Sequence, residues 1–120
     1  MAFQRETALE LQEALNDTLR LVSRAFLEDA ASSRAGTPWS KAMLGEELSE
    51  SIRLSFRRVS ILVERVENDT MRMRVKNLMT MAQLPMNARS ENDAELHLMR
   101  CRDEADIVFV NLGHYLRATY

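Results

Sequence analysis

Apolar residues return every three or four positions along most of this chain, the spacing of helices that each bury one face. Leu11, Leu15, Leu19, Val22 and Phe26 share one side of a first helix, predicted over about residues 4 to 30. Glu6, Glu10, Glu13, Asp17, Arg20, Arg24 and Glu28 fall on the other side. Within that row Asp17 and Arg20, and Arg24 and Glu28, stand at ion-pair spacing. The row reads as an acidic partner surface or, more commonly for a helix exterior, as a solvated face.

Ala31 to Thr37, with Ser32, Ser33 and Gly36, reads as a loop. Thr37-Pro38 suits a helix start, and Gly45 ends or weakens the short piece that follows. From Glu46 the seam Ile52, Phe56, Val59, Val63, Val66, Thr70 and Met73 alternates by fours and threes. It holds phase through Asn68-Asp69-Thr70, and neither Gly nor Pro interrupts it, so one helix to about Gln83 is expected. The alternative is a break near Asn68, because that cluster could cap a new helix. Unbroken, the helix would be about 57 Å long. Leu84-Pro85-Met86-Asn87 reads as a turn, and Ser90 with Asp93 as a capping box. The last helix carries Ala94, Leu98, Cys101, Ala105, Val108, Leu112 and Tyr115 and is expected to end near Ala118, weakened by Gly113. Leu15, Phe56, Val63, Leu98 and Val108, each mid-seam, are the expected core.

Composition supports this picture. Only 3 Gly and 2 Pro occur in 120 residues, too few for the turns of an all-β fold. With 46% hydrophobic and 28% charged residues, the chain is ordinary globular protein. The expectation is one all-α domain over residues 1–120, a three- or four-helix bundle of three long helices plus one or two short ones. No apolar run approaches the ~20 residues that span a bilayer. Met1 to Glu6 lack a basic region leading into an apolar run, so no secretory signal is expected. Cys101 is the single cysteine and excludes an internal disulfide, which fits a cytoplasmic protein.

The net charge of −2 makes the whole chain a poor electrostatic target for nucleic acid. On a single long helix, however, Arg58, Arg65, Arg72 and Lys76 would project within about 40° of one another, a basic stripe ~27 Å long. Such a stripe could follow phosphates, meet a protein partner, or snorkel as a half-exposed face. Leu54, Ile61 and Met79 share its side, and Leu96, Met99 and Val110 lie off the seam of the last helix. A small bundle needs one apolar stripe per helix, so this surplus marks a candidate apolar interface.

Catalytic constellations fail on spacing. Met71, Met73, Met79, Met81 and Met86 crowd one region, but Met-x-Met pairs on a helix point ~200° apart and cannot chelate one ion. They read as core filling or an adaptable surface. Asp93, His97, Cys101 and Glu104 share helical spacing, yet Cys101 belongs to the seam and Asp93 to the cap. Asp103-Glu104-Ala105-Asp106 spells a helicase motif without the Gly-rich phosphate loop it requires. His97 and His114 are poorly spaced to activate Cys101, and Trp39 reads as a core anchor. No metal, cofactor, small-molecule substrate or enzymatic activity is expected. The leading expectation is a non-enzymatic binding or assembly subunit, acting through helix-face contacts in a homo- or hetero-oligomeric complex. The alternative is a small helical subunit of a nucleoprotein complex that meets phosphates through the Arg/Lys stripe.

Overall fold

The computed structural model describes residues 2–39 and 45–118. Four helices follow one another: α1 (Ala2–Arg34), α2 (Glu46–Val63), α3 (Asp69–Asn87) and α4 (Glu91–Ala118), with no strand among the described residues. The all-α bundle expected from periodicity is the observed fold.

Helix α1 continues through Ala31, Ser32 and Ser33 to Arg34, where a loop was expected. No helix breaker occurs before Gly36, and the last turn is closed by that glycine. Gly36 takes φ 103°, Gly36 N–H donates to Ser33 O (3.1 Å) and Thr37 N–H to Ser32 O (3.0 Å). Those two bonds form a Schellman cap, which requires a left-handed residue that glycine adopts without a Cβ penalty. Thr37 and Pro38 are not helical, and the rest of the short helix expected there, residues 40–44, lies outside the described residues. Trp39 stands with its ring 5.9 Å from that of Phe26, tilted by 55°.

The single helix expected from Glu46 to Gln83 is two helices. Helix α2 stops at Val63, and Asn68 caps α3 by accepting a bond from Met71 N–H at 2.9 Å. Between them Arg65 N–H and Val66 N–H bond back to Leu62 O and Val63 O in tightened turns. The turn lets both helices bury an apolar face in the same bundle. It also resets the phase. Val59, Val63 and Val66 are buried as expected, but Thr70 is exposed and Met73 is 70% exposed. The buried face of α3 is instead Met71, Val75, Leu78, Ala82 and Pro85.

Pro85 sits inside α3, not in a turn. Its fixed φ is helical, and its missing N–H removes one bond close to the helix end. Ser90 starts α4, its hydroxyl accepting from Asp93 N–H at 3.1 Å. The α4 seam is buried from Ala94 through Leu112, with Tyr115 half-buried.

Helix α1 touches the other three, α3 contacts α2 and α4, and α2 and α4 do not meet. The body measures 53 × 25 × 16 Å. Leu11, Leu15, Val22, Val59, Val75, Leu78, Val108 and Leu112 form the centre of the core. A second cluster of Ala25, Leu48 and Ile52 is joined to it by half-buried Phe56 and Met86. Small residues bring α1 and α2 close. Thr18, fully buried, donates to Ala14 O (2.8 Å) and lies 2.6 Å from Ser55 Oγ, which therefore donates to it.

Candidate functional site

The break between α2 and α3 separates the four basic residues of the expected stripe. Arg58 lies on α2, Arg65 in the connection, and Arg72 and Lys76 on α3. Three of them meet carboxylates of this chain. Arg58 reaches Asp17 at 3.8 Å, Lys76 reaches Glu64 at 2.6 Å, and Arg72 pairs with Asp69 while also donating to Val66 O at 2.5 Å. The ammonium of Lys76 holds the Glu64 carboxyl below its ordinary range, first by hydrogen bonding and then by charge. Arg72 and Lys76 thus tie down the α2–α3 connection, and the single straight helix that was to align the four residues is not formed.

The candidate apolar residues divide differently. Leu54 and Ile61 are about half exposed on α2, where they line a groove of about 430 Å³ with Glu10, Arg57, Arg58 and Leu62. Met79, expected beside them, is on α3 and packs half-buried against the core. On α4, Leu96 is 44% exposed, Met99 55% and Val110 60%. Ile107, which sequence reasoning passed over, is 48% exposed and belongs with them. Positions 96, 99, 107 and 110 repeat by threes and fours around Asp103, so α4 carries a second heptad-like row. The signal was in the sequence, hidden by the stronger inner seam.

The remaining polar groups do not converge. Cys101 is fully buried in the α4 seam, whereas Asp93 is exposed at the helix start. Among the described residues, no group of three or more His, Cys, Asp or Glu is placed to hold a metal ion. His114 Nδ1 lies 2.8 Å from Arg117 Nη2, which can only donate, so the ring nitrogen accepts the hydrogen bond. Of the methionines, Met71 is buried and Met79, Met81 and Met86 are half-buried, with only Met73 of that group well exposed. Among the described residues no helix is long and apolar enough to cross a membrane.

Burial pushes the Cys101 thiol up to about 11, with Arg102 opposing weakly. At pH 8 only about a thousandth would be thiolate, the nucleophilic form. Cys101 in the native protein is therefore expected to resist alkylation, with labelling at the rate of unfolding. Rapid labelling of the folded chain by iodoacetamide would contradict its burial.

Comparison with protein families, with curated proteins and with solved structures finds no match to this chain.

Proposed function

We propose that this chain is a non-enzymatic binding or assembly subunit that works through the outer face of α4 against another protein. The observation that carries the proposal is the double use of that helix. Its inner row, Ala94, Leu98, Cys101, Ala105, Val108 and Leu112, is spent on the bundle core. Its outer row, Leu96, Met99, Ile107 and Val110, leaves four large apolar side chains in water. Scattered exposed apolar residues are ordinary, but a row aligned along about four turns is the form a helix-face interface takes. The reading places the protein in the cytoplasm, where a single buried thiol stays reduced.

The test is co-purification from the source organism with tagged wild type and with Ile107→Glu/Val110→Glu. Circular dichroism should show both proteins equally helical, since neither side chain enters the core. The wild type is expected to associate with protein, itself or another, and the variant to lose that association. A wild type that stays monomeric and partner-free, or a variant that associates as well as wild type, would end this reading.

A further inference from the structure

We propose that the occupant of the α4 face is a second copy of this chain, docked through the outer face of its α2. This rests on the reading of α4 as an interaction face and adds the partner. The two faces are matched in pattern, and Arg57 and Arg58 on one stand against Asp103 and Asp106 on the other, with Arg100 also on the α4 side and Glu10 beside the α2 groove. On α2, Leu54 and Ile61 flank Arg57 and Arg58. On α4, Met99 and Ile107 flank Asp103, with Asp106 and Val110 beside them. Arg57, Arg58 and Asp103 each stand three or four residues from the apolar residues that flank them, and Asp106 stands four from Val110. Leu54 and Ile61 can therefore lie against Met99 and Ile107 while arginine meets aspartate.

The charges are available for this. All four are exposed, and among the described residues Arg57, Asp103 and Asp106 enter no ion pair. Arg58 reaches only the long contact to Asp17 at 3.8 Å. A shallow depression beside Leu54 and Ile61 and a smaller one lined by Asp106, Ile107, Val110 and Asn111 lie on the two faces. Because α2 and α4 share no contact within the bundle, one chain can offer both faces at once. The contact is heterologous, so association continues past the dimer into a ring or an open row of subunits.

The experiment uses the purified chain alone, by sedimentation velocity over a concentration series. One variant blocks α2 (Leu54→Glu/Ile61→Glu) and another blocks α4 (Ile107→Glu/Val110→Glu). Wild type is expected to form species larger than dimers. Each blocked variant alone should be monomeric, and their equimolar mixture should form a dimer and stop, since one intact α2 face then meets one intact α4 face. Arg57→Asp/Arg58→Asp should weaken wild-type association roughly tenfold, about 1.4 kcal/mol, and adding Asp103→Arg/Asp106→Arg to the same chain should restore it. A purified wild type that remains monomeric overturns self-docking, while co-purification of a different protein through α4 would leave the proposed function standing. Association that survives blocking either face alone overturns the heterologous contact.

Discussion

Replacing Leu15 with alanine is expected to destabilise the bundle by about 2–5 kcal/mol, the cost of removing a buried side chain and leaving a cavity. Leu15 is fully buried at the centre of α1, the helix that touches all three others, so no single neighbour can collapse into the space. Leu78→Ala should behave alike, because Leu78 holds the same position on α3. For a chain of this size the loss corresponds to a fall in Tm on the order of 10 °C or more. Leu27→Ala is the control: Leu27 is 65% exposed on α1, and its loss should move Tm little. Thermal melts that place Leu15→Ala beside Leu27→Ala would show that α1 is rotated relative to the packing described.

How far this packing could be read in advance differs from helix to helix. On α4 the large residues repeat without a fault and a serine stands three residues before an aspartate, so its start, seam and end were legible. On α1 the seam was legible but its width was not. Ala8, Ala14, Ala25 and Thr18 are buried because small side chains let neighbouring helices approach, a property that hydrophobic spacing alone does not carry. The continuous row from Ile52 to Met73 misled for a specific reason. A heptad row running to Val66 extrapolates through any short polar cluster, whereas Asn68-Asp69-Thr70 acts as a cap only once the chain has turned. The basic stripe inherited that straight helix. Arg72 stands at helix ion-pair spacing from Asp69, which was expected to neutralise part of the stripe, but Lys76 was not identified as the partner of Glu64, which only the turn brings within reach. The exposure of Leu54, Ile61, Leu96, Met99 and Val110 was legible, since it depends on local helical phase alone, whereas that of Met79, which packs against the core, was not.

Least legible was Gln4, a buried glutamine near the start of α1 whose partners are distant in sequence. Its Nε2 donates to Arg65 O (3.0 Å), and its Oε1 accepts from Glu67 N–H (3.1 Å) and from the Tyr115 hydroxyl (2.8 Å). One carboxamide therefore ties α1, the α2–α3 connection and the end of α4. Gln4→Leu fills similar volume but removes three hydrogen bonds, each worth about 0.5–1.5 kcal/mol, and is expected to cost about 2–4 kcal/mol. Tyr115→Phe removes a single bond and should cost nearer 1 kcal/mol. Their double mutant should be less destabilised than the sum of the two, because both remove the same bond. Alkali gives an independent readout. Burial, and then the charge of Glu67, raise the Tyr115 hydroxyl above its ordinary pKa of 10.0. The folded state then keeps its proton at pH values where the unfolded chain has released it, so stability falls as pH rises above 10.0 towards the raised value. Denaturant melts across that range should show Tyr115→Phe losing less stability than wild type. Equal losses in the two proteins, together with strict additivity in the cycle, would mean that the tyrosine hydroxyl does not hold Gln4 in place.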